Sequence, residues 1–172
     1  HGYEGATIRK IAEEVGLSST ALYMHFADKS EILQEICRQA FEALLASHRT
    51  ILADDVPPEA RLRRMTRGYV DFGFANPDAY RLIYMTRPGE AAAARNAAEG
   101  VGADLFETFE VLVRQLDQAG RLKTDVRTTT LAIWAGAHGI VSLVITKTYF
   151  DWGDRGRLVD VMVDALFSGL ME

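Results

Sequence analysis

The chain contains a single cysteine in 172 residues, Cys37, so an intrachain disulfide is impossible. Disulfide-free chains are typical of a reducing cytoplasm. No apolar run approaches the ~18 residues that a membrane span requires, and no signal-peptide pattern opens the sequence. We therefore predict a cytoplasmic protein without a membrane partner, in which Cys37 is a buried thiol on a helix.

Motifs for catalysis and for metal or cofactor binding are also lacking. The sequence has no G-x-S-x-G motif, no phosphate-binding P-loop, no dinucleotide fingerprint, and no cysteine or histidine pair at ligand spacing. Its four histidines fall on separate predicted elements. The sequence therefore indicates a protein that is not an enzyme, with no catalytic residue, no metal site and no cofactor.

Positive charge is scarce as well. The 24 acidic residues outnumber the 19 basic ones and give a net charge of −5, and acidic residues also exceed basic ones within the first 31 positions. Nonspecific DNA binding comes mainly from neutralised phosphates, so it should be weak for this chain. Any DNA binding must depend on helix N-termini, hydroxyl donors and a symmetric pair of helices.

Residues 5–31, in contrast, carry the pattern of two short amphipathic helices around a glycine turn. Thr7 is a good N-cap for the first helix, whose apolar residues recur at spacings of three and four. Gly16 can adopt the left-handed conformation that closes a helix, after which Leu17 is predicted to return to the core. The apolar stripe of the first helix comprises Ile8, Ile11, Ala12 and Val15.

The second helix is predicted from about Ser19 to His25, with Ser18 as its N-cap. Asp28 and Glu31 form a capping-box pattern, so a third helix is predicted to begin near Lys29. The second helix buries little more than Ala21, Leu22 and Phe26. Its outer face is therefore free to donate to phosphate oxygens or to reach base edges. The residues predicted to project from this outer face and from the first turn are Ser18, Ser19, Thr20, Tyr23 and His25.

This run resembles the DNA-binding domain of the TetR family of bacterial transcriptional repressors. The shared features are a threonine-capped helix with an Ile-Ala pair, a Gly-hydrophobic-Ser turn, and the pattern Leu-Tyr-x-x-Phe-x-x-Lys over residues 22–29. Family members carry one further helix before this motif, and residues 1–5 are similar to the loop that follows it. We expect that this first helix is absent from the sequence given.

The resemblance implies DNA contacts position by position. The positions that match backbone-contacting residues of the family are Thr7, Ser18, Tyr23 and Lys29, and those nearest to base edges are Arg9, Ser19, Thr20 and His25. At Ser19, Thr20 and His25 many relatives carry a basic residue, a glycine and a tyrosine instead. The implied partner is therefore a pseudo-palindromic double-stranded operator whose sequence does not transfer from the family.

The chain beyond residue 30 is predicted to be helical throughout. The fold class is therefore all-α, with a helix-turn-helix DNA-binding domain over residues 1–30 and a helical effector-binding and dimerisation domain over residues 31–172. The third helix runs to about Ala53. A helix opened by prolines 57–58 then ends at residues 76–77.

The middle of the chain is divided by proline and glycine. A short helix with Tyr80, Ile83 and Tyr84 is predicted to end at residues 87–89, Arg-Pro-Gly. The following helix is specified from Ala103 to Gly120, preceded by a mobile start in the alanine-rich residues 91–98.

The first of the last two predicted helices carries almost no charge. Asp125 can cap this helix, and the only ionised side chain between residues 128 and 148 is Lys147. A helix that is apolar nearly all round must be covered on several sides. We expect both helices to pair with their copies in a homodimer, as the resemblance also implies, although a larger monomer core is the alternative. The first helix carries Leu131, Trp134, His138, Val141, Ile145 and Tyr149 on one side and Ala132, Gly136, Gly139 and Leu143 on another; the last carries Leu158, Met162, Ala165, Leu166, Gly169 and Leu170.

Aromatic residues with a few polar tips occur on three or four neighbouring helices, a composition typical of a ligand cavity or of a solid core. Trp134, His138 and Gly139 also resemble the W-x-x-x-H-G signature of a TetR C-terminal subgroup. His138 is either a core histidine or an effector donor. The resemblance favours a small hydrophobic or aromatic effector. The candidate ligand-binding residues are Met65, Tyr69, Phe72, Tyr80, Tyr84, Phe106, Phe109, Trp134 and His138.

The main hypothesis is a repressor that an apolar effector releases from its operator, and two other classes stay open on the residues alone. A helical enzyme or carrier for a hydrophobic molecule would need a reactive group in the cavity, for which His138 with Glu107 or Glu110 is the candidate. A regulator that acts through protein contacts would lack an effector pocket. DNA binding excludes the first class, and a filled bundle interior would indicate the second.

Overall fold

The computed structural model describes the backbone of residues 5–85 and 92–172, together with the side chains of residues 5–81, 84–85 and 102–172. These residues form eight helices and no strand, so the predicted all-α class is confirmed. The helices are α1 (Ile8–Glu14), α2 (Ser19–Tyr23), α3 (Lys29–Ala53), α4 (Pro58–Ala75), α5 (Pro77–Tyr84), α6 (Ala92–Gln118), α7 (Val126–Thr146) and α8 (Arg155–Leu170).

The first two helices begin at the predicted caps. The hydroxyl oxygen of Thr7 accepts a hydrogen bond from the backbone N–H of Lys10 at 3.3 Å, and that of Ser18 accepts from Ala21 at 3.0 Å. These bonds satisfy helix donors that have no partner within the helix. Helices α1 and α2 pack on each other. Their small core contains Ile8, Ala12 and Leu22, with Ile11, Phe26 and Ile32 packed against it.

Gly16 closes α1 as predicted, with a φ of +71°. Its N–H donates to the carbonyl of Glu13, and the N–H of Leu17 donates to the carbonyl of Ala12 at 2.8 Å. This is the two-bond arrangement of a Schellman motif. Leu17 nevertheless does not return to the core, and Val15 is not part of the buried stripe. Both side chains are more than half exposed, because the helix ends at Glu14 and the turn directs the following residues outward.

Replacement of Gly16 and of Gly68 by alanine is expected to change the stability in opposite directions. No described atom outside the local chain lies within 4 Å of a Cβ built at either position, but only Gly16 has a positive φ. Gly16→Ala is therefore expected to lower the free energy of unfolding by about 1 kcal/mol, since a Cβ is strained in the left-handed region. Gly68→Ala, inside α4, is expected to raise it by up to about 1 kcal/mol. Urea denaturation of both variants measures the difference, and a stabilised Gly16→Ala would contradict the assigned turn.

Helix α2 ends at Tyr23, two residues before the predicted end, and α3 begins at the predicted Lys29. Asp28 Oδ1 accepts from the N–H groups of Ser30 and Glu31, while Glu31 Oε2 accepts from the N–H of Ala27. The reciprocal bond of this capping box thus falls one residue earlier than in the usual form. Both carboxylates satisfy N–H groups at the start of the long helix.

The contacts divide the chain into two compact units, one of residues 1–42 and 78–101 and one of residues 43–77 and 102–172. Helix α3 is continuous through residue 42. The functional boundary at residue 30 stays a prediction. Within the first unit, Tyr80 is fully buried and its ring centroid lies 4.7 Å from that of Tyr84, which is 6.0 Å from that of Phe41.

The second unit has its core among α4, α7 and α8, each of which packs on the other two. Asp125 and Asp154 cap α7 and α8 through their carboxylates, the first as predicted. Gly136 permits a close approach, because a Cβ built there would lie 2.6 Å from Cδ1 of Leu166. The expected contact between a small residue of α7 and the apolar side of α8 is confirmed.

Three boundaries or faces differ from the prediction. Helix α6 begins at Ala92 rather than Ala103, since alanine is the strongest helix former and outweighs the two glycines. Tyr149 lies beyond the end of α7 and is 82% exposed. The buried stripe of α8 is Val159, Val163 and Phe167, one position from the predicted Leu158, Met162 and Leu166. The predicted helix end at residues 87–89 lies outside the described residues.

Helix α7 is long and apolar enough, by length and composition, to cross a bilayer: an 18-residue window has a mean hydropathy of 1.5. The expectation that no run approaches this length was wrong, because threonine, glycine and serine interrupt the apolar residues without adding charge. In the structure 44% of that window is buried, and the helix packs against α4 and α8. Those contacts are typical of a core helix.

The connection between α6 and α7 is bonded to the end of α8. The N–H of Lys123 donates to the carbonyl of Leu170, and the N–H of Glu172 donates to the carbonyl of Arg121, both at 2.9 Å. The Lys123 Nζ donates to the carbonyl of Ser168, and the Arg121 guanidinium donates to that of Glu172. We call this set of bonds between residues 121–123 and 168–172 the terminal clasp.

Candidate DNA-binding surface and effector site

The candidate DNA-binding residues lie on the exposed side of the first unit. Thr7, Arg9, Ser18, Thr20, Tyr23 and His25 are exposed, while Ser19 and Lys29 are half-buried. The cap hydroxyls of Thr7 and Ser18 use an oxygen lone pair to accept from their helices. Each keeps its own O–H hydrogen for donation, the bond that a phosphate oxygen requires. Capping and DNA contact are therefore compatible in the same side chain.

Helix α2 presents one narrow outward face. Leu22 is buried and anchors the helix, whereas Thr20, Tyr23 and Met24 are exposed and follow a spacing of three and four residues. The side chain of Met24 is 80% exposed, more than that of Tyr23 at 59%. Sequence reasoning did not select Met24, which follows the last residue of α2 and is exposed beside Tyr23. An exposed apolar side chain here can contact a thymine methyl group.

Seven of the nine candidate effector residues fall in the second unit and two, Tyr80 and Tyr84, in the first. Met65, Tyr69 and Phe109 are buried, and Phe72, Phe106, Trp134 and His138 are half-buried. The indole N–H of Trp134 donates to the hydroxyl of Tyr69 at 3.2 Å. The ring of Trp134 lies 6.2 Å from Phe106, edge to face, and 6.1 Å from His138. The residues Tyr69, Trp134, Phe106 and His138 therefore form a contiguous group.

His138 has a defined partner on its own helix. Its Nε2 lies 3.1 Å from the hydroxyl oxygen of Ser142, and burial lowers the pKa of the imidazole. Of the two carboxylates weighed as its catalytic partners, Glu110 instead pairs with Arg114 at 2.7 Å and with Arg127 at 3.5 Å, and Glu107 is exposed. No group of histidine, cysteine and carboxylate side chains suited to a metal occurs among the described residues.

His48 is a buried polar residue of the second unit that sequence reasoning did not select. Its side chain is fully buried, and its ring lies 5.1 Å from that of Phe109, edge to face. Nδ1 lies 2.9 Å from the hydroxyl oxygen of Thr108, while Nε2 is buried without a hydrogen-bond partner among the described residues. Burial lowers the pKa of His48 to about 4. The spacing from Leu44 to Ile51 could have placed this residue in the apolar seam of α3.

A helix-turn-helix with cap hydroxyls at its surface, together with a bundle of apolar helices, defines a helix-turn-helix transcriptional regulator. Two family matches agree with this class. Residues 1–36 match "Bacterial regulatory proteins, tetR family", and residues 62–166 match "Tetracyclin repressor-like, C-terminal domain". The chain belongs to the TetR family.

Two curated relatives are similar to this chain over most of its length. The HTH-type transcriptional activator FasR of Mycolicibacterium smegmatis is 30% identical over 110 residues, which are 62% of this chain and half of FasR. The nucleoid occlusion factor SlmA of Escherichia coli (strain K12 / DH10B) is 29% identical over 155 residues, 86% of this chain and 76% of SlmA. Neither of these names describes an enzyme.

Solved structures share the fold. The TetR family transcriptional regulator PfmR of Thermus thermophilus has a TM-score of 0.74 at 23% identity, over 97% of this chain and 90% of that one. The transcriptional regulator FadR of Bacillus subtilis, solved in complex with stearoyl-CoA, has a TM-score of 0.82 at 14% identity, over 98% and 90%. At these identities the similarity shows the fold alone.

Proposed function

We propose that the chain is a cytoplasmic, dimeric transcriptional repressor that a small apolar effector releases from a pseudo-palindromic operator. The observation that carries the proposal is the exposed face of α1 and α2, where two helix caps offer O–H donors within a segment that matches a family of DNA-binding regulators. Helix N-termini add a favourable dipole for phosphate. Affinity then arises from directed hydrogen bonds rather than from net charge, which is −5 for the whole chain.

In this proposal the eight predicted DNA-contacting residues divide into those that bind the phosphate backbone and those that read the bases. Thr7, Ser18, Tyr23 and Lys29 bind the phosphate backbone, and Arg9, Ser19, Thr20 and His25 lie nearest to the bases. Backbone contacts position the helix, and base contacts determine the sequence that is read. The exposure of Thr20 and His25 supports the second role.

Tyr23→Ala and Lys29→Ala are each expected to weaken operator binding roughly tenfold, because each removes one phosphate contact from both copies in a dimer. The operator is first selected from a random duplex pool with the unmodified chain, and the variants are then compared in a gel-shift titration. Lys147→Ala, which removes an exposed lysine of the second unit, is the control and should leave the affinity unchanged. Unchanged affinity for both test variants would refute the DNA-binding assignment.

The proposed dimer uses an uncovered apolar side of α7 and α8. Leu131, Ala135 and Leu143 lie one turn apart or at multiples of one turn on α7 and are exposed, with Gly139 between the last two. A Cβ built at Gly139 meets no described atom outside its own helix within 4 Å, so another helix can approach closely. On α8, Val161 is 59% exposed. Pairing with a second copy would cover these residues by a two-fold axis.

The proposed effector site is the aromatic group around Trp134 in the second unit. Its rings and its hydrogen bond between Trp134 and Tyr69 offer an apolar wall with polar tips, as ligand sites require. Trp134, His138 and Gly139 support membership of the W-x-x-x-H-G subgroup. That FadR of Bacillus subtilis was solved with stearoyl-CoA supports a ligand with an apolar acyl chain for this fold.

The proposed switch has two states. An effector that binds one arrangement of the helices more tightly shifts the equilibrium toward it, and α3, which continues from the first unit into the second, changes its tilt. The two recognition helices then leave the separation near ~34 Å, or a multiple, that successive major grooves require. Coupling of about 1–3 kcal/mol would change the DNA affinity several-fold to a hundredfold.

A further inference from the structure

We propose that Nε2 of His48 accepts a hydrogen bond from a hydroxyl or N–H group of the effector. The inference rests on the effector site proposed above and defines the class of ligand: an apolar molecule that carries one neutral hydrogen-bond donor. An ionised carboxylate does not fit this atom, because it can only accept.

The hydrogen bonds of Thr108 determine which ring nitrogen of His48 carries the proton. The Thr108 hydroxyl donates to the carbonyl oxygen of Leu105 at 2.6 Å, so its single hydrogen is already used. The same oxygen lies 2.9 Å from Nδ1 of His48 and must act as the acceptor in that contact. Nδ1 therefore carries the hydrogen, and Nε2 carries a lone pair.

The lone pair of Nε2 has no described donor. The whole side chain of His48 is buried, and Nε2 itself is buried without a partner among the described residues. Buried polar atoms in folded proteins are nearly always hydrogen-bonded, and one that is not needs an explanation. Because burial keeps the pKa of His48 near 4, the ring is neutral at pH 7 and the acceptor persists.

His48 lies beside the proposed effector site. Its ring contacts Phe109, which is one helical turn from Phe106 on α6, and Phe106 in turn contacts Trp134. An apolar ligand along these rings would bring a donor at its end to Nε2. Since Nε2 has no open surface, the ligand must part the surrounding side chains and so stabilise a second arrangement of the helices. That is the property required of an effector.

Phenol and toluene test the inference on the full chain, because the two molecules differ in size very little and only phenol donates a hydrogen bond. Their dissociation constants are measured by calorimetry for the unmodified chain and for His48→Leu. We expect His48→Leu to bind phenol roughly tenfold more weakly and to bind toluene within about twofold of the unmodified chain. Phe109→Leu, which removes the ring but keeps the acceptor, should weaken both probes alike.

A second measurement needs no variant. Side-chain ¹⁵N NMR of the unmodified chain should show Nε2 of His48 as the unprotonated nitrogen, and phenol but not toluene should shift that resonance. Equal losses for both probes in His48→Leu, or an Nε2 resonance that phenol does not move, would overturn the inference while the effector site stands. Failure of both probes to bind at millimolar concentration would overturn the effector site and this inference together, with DNA binding unaffected.

Discussion

Acidification from pH 7 to pH 4 is expected to lower the free energy of unfolding by about 3 kcal/mol through His48 alone. Burial lowers the pKa of His48 from 6.5 to about 4 in the folded chain. Between pH 6.5 and pH 4 His48 is protonated in the unfolded chain and neutral in the folded chain. The free energy of unfolding therefore falls by about 1.4 kcal/mol for each unit by which the pH is lowered. Above pH 7 the ring is neutral in both states and the contribution is constant.

His48→Phe isolates this contribution. Urea denaturation of both proteins from pH 7 to pH 4 gives two curves of unfolding free energy against pH. Subtracting one curve from the other removes the contributions of all groups that the two proteins share. One of these is His138, whose lowered pKa also reduces stability on acidification. The difference also removes Glu35, whose pKa is lowered from 4.5 to about 2 by hydrogen bonds with Arg38 and Gln39 and whose contribution to stability begins to fall below about pH 4.5. Parallel curves would show that His48 is accessible to protons in the folded chain.

Leu143→Arg is expected to yield a 19.1-kDa monomer and to lower operator affinity at least a hundredfold. The side chain of Leu143 is 49% exposed in the single chain, so the substitution leaves the core of one copy intact. In the proposed interface it would bury an unpaired charge from each copy, which is strongly unfavourable. A monomer also loses the gain in affinity of roughly 10²–10⁴ that comes from binding two half-sites at once.

Sedimentation equilibrium and the gel-shift titration measure the two effects of Leu143→Arg together. Gln118→Arg, which adds the same charge at an exposed position of α6, is the matched control and should stay dimeric. A Leu143→Arg protein with twice the mass of the chain and undiminished affinity would exclude this face as the interface. A monomeric protein that still binds the operator tightly would refute two-fold recognition.

The starts of the capped helices α1, α2 and α7 were predictable because they depend on local chemistry, unlike the start of α6. Thr7, Ser18 and Asp125 each supply the oxygen that a first turn needs, and Gly16 supplies the conformation that closes one. Which residue of a turn faces inward was less predictable. Val15 continues the apolar periodicity of α1 but follows its last residue, so helical spacing no longer determines its direction.

The candidate site was predictable in composition and only partly in placement. Aromatic residues of α4, α6 and α7 do form a contiguous group, since helical spacing brings Phe106 and Trp134 to facing sides. Tyr80 and Tyr84 share the same composition but pack on each other in the first unit. His48 was not found, because its significance lies in an unsatisfied nitrogen that only the positions of Thr108 and Leu105 define.

The terminal clasp limits how α8 can move within one chain. Backbone bonds from Arg121 and Lys123 to the last residues fix the end of α8 against the start of α7. Sliding one of these helices along the other would break several such bonds at once. In the proposed dimer, a change in the spacing of the two recognition helices would then come from rotation of one protomer relative to the other, and not from sliding of α8 along α7 within a protomer.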